Sequence, residues 1–262
     1  MDRGDKDAVG KGRHVTRAGI MVRHPSILIM GAICIAAFAS LAIAGPWWAW
    51  LLVPLGVGAQ LLNEYNLHRH VFHLTPPRRQ WAFDLLYQAH YGHHDFPTNT
   101  GLFFVPVWIA VPMLVANTLL VWGIATLIGV SDAHWAAIAI VPAGGVAMFM
   151  VYEWYHMTAH VTVPKGVLAR RVTRLHNQHH FRDFSKWFHV SPGGEIIDRA
   201  MGTDIDGAAL KQQQRIEFIR TLGLRPDDPR LIAARSRFAE KYGLSDAEVA
   251  QAAIVPSRAA PV

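Results

Sequence analysis

Ten of the fifteen histidines of this 262-residue chain fall in four short clusters, each beside the end of a long apolar run. They are His68 and His73; His90, His93 and His94; His156 and His160; and His176, His179 and His180. The spacing repeats, because His, two residues, His-His occurs in QAHYGHH and again in RLHNQHH. Imidazole is the commonest protein ligand for divalent transition metals, and ten imidazoles exceed what one ion can bind. The pattern points to a site for two metal ions.

On a regular helix, positions i+3 and i+4 lie at about −60° and +40° from position i. His90, His93 and His94 are therefore expected on one face, as are His176, His179 and His180, and His156 stacks with His160. The first cluster is less regular. His68 and His73 are five residues apart, about 140° round an α-helix, whereas His70 lies only three before His73. Spacing alone leaves two readings open: either a helix end or an irregularity turns His68 inward, or His70 is the ligand. His14, His24, His134 and His189 are isolated and read as structural or solvated, with His189 the nearest to a cluster.

Several chemistries use such sites. A two-metal hydrolase would be expected to carry a general-base glutamate, but His156-Met157-Thr158-Ala159-His160 lacks the Glu of an HExxH site. Bridging carboxylates are also scarce, Asp95 and Glu153 being the nearest. A metal transporter places polar ligands along a path inside its spans, and the apolar runs here are almost free of ionisable groups. Redox chemistry at a di-iron centre remains. Neutral imidazoles hold iron and leave positions open for dioxygen, while the protein orients the substrate and excludes water. A lipid could slide from the bilayer to such a site with its tail still in apolar surroundings. Hydrogen-bond acceptors behind the imidazoles, with Glu153, Asp183 and Asp198 as candidates, would orient the rings. Zinc could replace iron on purification, since the Irving–Williams order does not favour Fe(II).

The elements that must carry these clusters are membrane helices. Hydrophobic residues make up 52% of the chain and charged ones 17%, below the roughly 25% usual for soluble domains. Mean hydropathy is +0.18. Residues 26–45 contain no charge, and at ~1.5 Å per residue such a helix crosses the ~30 Å hydrocarbon core. Trp47, Trp48 and Trp50 then mark an interface, and further spans are expected at 49–67, 101–129 (with Pro106 and Pro112 inside) and 134–155. Lys6, Lys11, Arg13, Arg17 and Arg23 precede the first span, Arg69, Arg78 and Arg79 follow the second, and Lys165, Arg170, Arg171 and Arg174 follow the fourth. The opposite loops at Gly45–Trp48 and Ser131–Asp132 have no Lys or Arg. The positive-inside rule gives four spans with both termini and all histidine clusters cytoplasmic.

The net charge of +6 does not indicate nucleic acid, because the basic residues flank apolar runs and interleave with no aromatic face. Anionic lipid headgroups are the expected counterpart. The single Cys34 permits neither an intrachain disulfide nor a thiolate metal site. The first apolar run is read as a retained anchor rather than a cleaved signal. Ser245 with Glu248 predicts a capping box opening a last helix.

The motifs resemble those of the fatty acid hydroxylase/sterol desaturase superfamily over roughly residues 60 to 205. HRHVFHL at 68–74 is similar to the first histidine box, and HYGHH at 90–94, HMTAH at 156–160 and HNQHH at 176–180 to the others. FVPVW at 104–108 and SPGGEIIDRAMGT at 191–203 also look like landmarks, although Met201 stands where an aromatic is usual. The layout is closest to the fatty acyl and sphingolipid 2-hydroxylase branch. The resemblance implies an all-α integral membrane fold, four transmembrane helices with a cytosolic helical cap that carries a histidine-rich di-metal site. It assigns His68 and His73 as ligands and leaves His70 as an extra. It implies a di-iron lipid hydroxylase using dioxygen, with a fatty acyl or sphingolipid chain as substrate and a carotenoid-ring hydroxylase of the same superfamily as the alternative. The ~25 residues ahead of the first span are too few for the haem domain often fused in that branch, and His24-Pro25 is followed by Ser26 rather than the glycines of a haem-binding box. A separate electron donor, a ferredoxin or similar, is therefore expected. The expected organisation is a basic cytosolic segment (1–25), a hydroxylase domain (26–205) and a helical cytosolic extension (206–262), with a bacterial inner membrane as the location.

Overall fold

A computed structural model describes residues 16–254. Lys6, Lys11, Arg13 and His14 lie outside the described residues, and with them most of the basic segment assigned to 1–25. Regular structure among the described residues is entirely helical. Helix α1 is Pro25–Ala44, opened by a proline whose missing N–H costs nothing in a first turn and closed at Gly45-Pro46. A short turn of helix, Trp47–Trp50, leads to α2, Val53–Leu67, which runs directly into a π-helical stretch, His68–Phe72. Helix α3 is Gln80–Leu86, continued by a π turn at Tyr87–Tyr91 and a last turn at Gly92–Asp95. Helix α4 is Val107–Leu127, with Pro106 at its N-cap and Pro112 in its second turn. Helix α5 is Ala133–His160, widened to π geometry at Ala139–Gly145 around Pro142. Helix α6 is Val167–Phe181.

Among the described residues, three helical stretches are long and apolar enough to cross a membrane: Pro25–Ala44, Thr100–Leu127 and Ala133–His160. The last reaches His160 rather than stopping near 155, so the third histidine cluster is on the span itself. Helix α2 does not meet that measure. Its α-helical part has 15 residues, and Gln60, Asn63, Glu64 and Asn66 occupy its C-terminal half. Large apolar side chains such as Ile35, Ile43, Leu119, Leu120 and Leu127 point outward from α1 and α4, as lipid-facing surfaces do.

The helices that carry the site are clamped by small residues. α2 packs most extensively on the π stretch of α5, where Gly56 and Gly144 face the opposing backbones. A Cβ at Gly56 would lie 2.0 Å from the Ile140 carbonyl oxygen, and one at Gly144 2.2 Å from that of Val53. Ala37, Leu41, Ala49, Ala139 and Ala143 form the adjoining core of α1, the tryptophan turn and α5. Such close approach gives van der Waals packing where lipid supplies no hydrophobic driving force. Ser26 Oγ also donates to the Val105 carbonyl (2.6 Å), tying the start of α1 to the segment that leads into α4.

The chain divides into two compact units, one ending at Asp204 and one beginning at Ile205. The second contains helices Gly207–Thr221, Pro229–Tyr242 and Asp246–Ala253. Asp206 and Asp228 cap the first two, and the expected Ser245–Glu248 capping box opens the third.

Candidate metal centre

The ten clustered histidines converge in two groups of five. His68, His73, His90, His94 and His179 form one, and His93, His156, His160, His176 and His180 the other. Within each group every ring offers a nitrogen within 4.8 Å of all the rest. The groups adjoin, since the rings of His94 and His180 stack with centroids 4.1 Å apart.

The partition corrects the expectation that each His-x-x-His-His run presents three nitrogens to one face. Positions i and i+4 go to one group and i+3 to the other. His90 and His94 join the first group while His93 crosses to the second; His176 and His180 join the second while His179 crosses to the first. Adjacent residues on a helix diverge by about 100°, so His93 and His94 straddle the seam between the two sites. Each group thus draws an i, i+4 pair from one run, a single ring from the other, and two rings from a remaining cluster.

In the first cluster, backbone geometry turns His68 rather than His70 toward His73. The His73 N–H bonds the His68 carbonyl at 3.2 Å, an i→i+5 bond that closes the π stretch. In this wider turn residues five apart stack, as residues four apart do in an α-helix. His68 and His73 therefore point together, and His70 is left exposed. His24 is half-buried beside Phe104, and His134 lies against Trp135 near the start of α5.

Three rings have fixed tautomers. The Nδ1–H groups of His156 and His179 donate to the carbonyls of Phe103 (2.8 Å) and Lys186 (2.6 Å), and that of His68 to the Phe188 carbonyl. A carbonyl can only accept, so the Nε2 of each ring carries a lone pair. His90 Nε2 lies 3.0 Å from His68 Nε2, 3.1 Å from His73 Nε2 and 2.8 Å from His94 Nε2. One nitrogen carries at most one proton and cannot satisfy three neighbours. In the second group, His176 Nε2 lies 2.8 Å from His160 Nε2 and 3.1 Å from His180 Nε2, and His93 is 2.9 Å from His156. For metal–nitrogen bonds of about 2.0–2.1 Å, ligands at right angles stand about 3 Å apart. The spacing fits nitrogens arranged around a shared cation. Electrostatics agree: burial, then the neighbouring His179 ring, pulls His73 down to about 3 and His94 to about 2, so both are neutral at ordinary pH.

The carboxylates named as ring-orienting acceptors act one link further out. Asp198 accepts from the backbone N–H groups of Phe188 (2.9 Å) and His189 (3.1 Å), fixing the turn whose Phe188 carbonyl holds His68. Glu153 accepts from Val105 N (2.9 Å), beside the Phe103 carbonyl that holds His156. Asp183 accepts from Ser185, and its carbonyl accepts from Lys186 N, shaping the turn that presents the Lys186 carbonyl to His179. Trp187, with φ of 54°, lets Lys186 and Phe188 both aim carbonyls at the first group.

Two further residues escaped the sequence reading. Glu64 accepts from Val190 N (2.6 Å), Ser191 N (3.0 Å) and Ser191 Oγ, locking α2 to the 187–203 segment. His189, read as isolated, bonds Asp198 through Nδ1 and the Leu61 carbonyl through Nε2, each at 2.9 Å, and stacks on Tyr65. An acid near the end of an apolar run was the available signal for Glu64. For His189 the available signal was its nearness in sequence to the fourth cluster. An apolar cleft runs from His68, Phe72 and Tyr152 between α2, α4 and α5.

Comparison with known proteins agrees with this arrangement. The family model described as fatty acid hydroxylase matches residues 53–203, which include all ten histidines. Dihydroceramide fatty acyl 2-hydroxylase FAH2 of Arabidopsis thaliana is 30% identical over 176 residues, covering 62% of this chain and 64% of the relative. The ceramide very long chain fatty acid hydroxylase SCS7 of Saccharomyces cerevisiae is 25% identical over 170 residues, covering 63% and 42%. The chain thus spans less than two thirds of the length of these curated relatives. Among solved structures, full-length Scs7p, in which only the hydroxylase domain is visible, has a similar fold: TM-score 0.57 at 22% identity, over 73% of this chain and 67% of that one. With the family's model matched from the foot of α2 to Thr203, this chain belongs to the fatty acid hydroxylase family.

Proposed function

We propose that this protein is a membrane monooxygenase that hydroxylates a long-chain lipid, with a fatty acyl or sphingolipid chain as substrate. One iron would be held by His68, His73, His90, His94 and His179, and a second by His93, His156, His160, His176 and His180. The observation that carries the reading is the gathering of ten imidazoles into two five-membered groups with nitrogen spacings suited to a cation. When bound, the irons would supply oxygen activation: one C–H bond breaks, one oxygen atom enters as hydroxyl, and the other leaves as water with two electrons and two protons.

The chain's own residues hold and enclose the site. The Phe103, Lys186 and Phe188 carbonyls fix ring orientation, and Glu64 and Asp198 hold the segment that covers the first group. The cleft between α2, α4 and α5 leads lipid to His68 while its apolar walls exclude water. In this reading α2 with its π extension serves as a fourth span, and α3, α6 and the 187–203 segment form a cap on the cytoplasmic face of a bacterial inner membrane. The assigned organisation is 26–205 as the hydroxylase domain and 206–262 as an appended helical extension. Electrons come from a separate redox protein, a ferredoxin or similar. A transporter is disfavoured because the imidazoles gather at span ends rather than along a path.

The test is lipid and pigment profiling of cells with and without the gene, grown under oxygen-18. A lipid that gains one labelled oxygen atom is the expected result. Labelled carotenoid in a pigment-producing host would move the substrate to the ring-hydroxylase alternative, and metal flux into vesicles without any oxygenated product would overturn the enzyme reading.

A further inference from the structure

Three carboxamides line the apolar cleft beside His68: Gln60 and Asn63 on α2 and Asn117 on α4. Their placement is deep. Gln60 precedes His68 by eight residues, about 12 Å along a helix, and Asn117 lies ten residues beyond Val107, about 15 Å from the start of α4. Asn117 is also the eleventh of the 21 residues of α4, the middle of that span. Around the amides the wall is apolar, with Met30, Met113, Leu114, Val146 and Phe149, apart from Glu64, whose carboxylate is taken up by Val190 and Ser191.

Asn63 Nδ2 donates to Gln60 Oε1 at 3.3 Å, which uses one donor and one acceptor of that pair. Among the described residues, the Asn117 carboxamide has no hydrogen-bond partner, and neither do Gln60 Nε2 and Asn63 Oδ1. A polar group in hydrocarbon surroundings is costly unless hydrogen-bonded, and polar side chains kept inside spans face cavities that use them. A saturated alkyl tail offers such groups nothing. No Lys or Arg lines the cleft, so an anion at that depth would have no counter-charge. A hydroxyl both donates and accepts, as a carboxamide does, and is neutral.

We propose that the cleft takes a long-chain lipid bearing a hydroxyl on the order of ten carbons from the carbon offered to the metal pair, seated among Gln60, Asn63 and Asn117. The inference rests on the monooxygenase reading for the identity of the reacting end, and binding tests it independently of turnover. The full chain, metal-loaded and in lipid nanodiscs, is titrated by displacement of a fluorescent fatty acid with octadecanoic acid or with 12-hydroxyoctadecanoic acid. The hydroxylated chain is expected to bind at least about tenfold more tightly. In the Asn63→Leu/Asn117→Leu variant the ratio of the two affinities falls to about one. Metal content per protein checks that the variant is folded; if it falls, Asn117→Leu alone is measured.

Equal affinities in the wild type, an undiminished preference in the variant, or no binding of either acid would overturn the inference. Oxygenation is scored on the same samples. Hydroxylation of octadecanoic acid with no preference between probes keeps the monooxygenase and removes the hydroxyl seat. A preference without oxygenation keeps the seat and removes the monooxygenase.

Discussion

At the scale of single residues, His93 and His179 have a particular position, because each crosses from its own run to the other group. Losing either removes a nitrogen from one site and a spacer between the two. His93→Ala and His179→Ala are each expected to lower turnover by more than about 100-fold and to reduce metal per protein. His134→Ala, beside Trp135 near the start of α5, is expected to leave both near wild type. Product formation and metal analysis by mass spectrometry check this, and full activity without His93 would remove the two-site scheme. His189 makes a different claim. Both of its nitrogens face acceptors, which requires an imidazolium. Burial alone would lower its pKa, but the Asp198 hydrogen bond, the charges of Glu64 and Asp198, and the Leu61 carbonyl together raise it above the ordinary value. The folded state therefore binds this proton more tightly than the unfolded chain does. Its stabilisation is complete below about pH 6.5 and is lost as pH rises through the raised value. The melting-temperature gap between wild type and His189→Gln should narrow from about pH 6 to about pH 9. A gap that widens with pH would mean a neutral ring.

At the scale of elements, the contact of α2 with α5 governs where His68 and His73 stand relative to His156 and His160. Its tightness has a measurable consequence. Gly56→Ala or Gly144→Ala would set a Cβ against an opposing backbone carbonyl, which cannot swing away as a flexible side chain would. Each is expected to cost about 1–3 kcal/mol, read by denaturation in detergent. Gly58→Ala and Gly123→Ala meet nothing within 4 Å and should leave stability unchanged or slightly improved through better helix propensity. Equal gains at all four glycines would show that helix propensity, not the close approach, dominates. The π stretch at Ala139–Gly145 has a local cause, since Pro142 supplies no N–H to an α-helical ladder.

At the scale of the whole molecule, the reading places the Gly45–Trp48 and Ser131–Asp132 loops on one side of the membrane and the histidine groups on the other. Cys34 is the only cysteine, so a Cys34→Ala background permits single-site labelling. Ser131→Cys is expected to react with a membrane-impermeant maleimide in intact cells once the outer envelope is opened, and Ser185→Cys only after the inner membrane is permeabilised. Labelling of both from outside would break the topology. The amino-acid sequence by itself determined the apolar runs, the all-helical class and nine of the ten histidines that gather, because hydropathy and ligand chemistry are carried by residue type and short spacing. It could not apportion those ten between two groups. Spacing fixes angles within one helix, whereas the crossing of His93 and His179 depends on how α3 and α6 lie against α2 and α5. The choice of His68 over His70 waited on a π turn that no residue count reveals. The ring-holding groups proved to be the carbonyls of Phe103, Lys186 and Phe188, supplied by segments 53, 7 and 120 residues away from the rings they hold. Backbone oxygens are common to every residue, so only the tertiary fold decides which of them meets an imidazole.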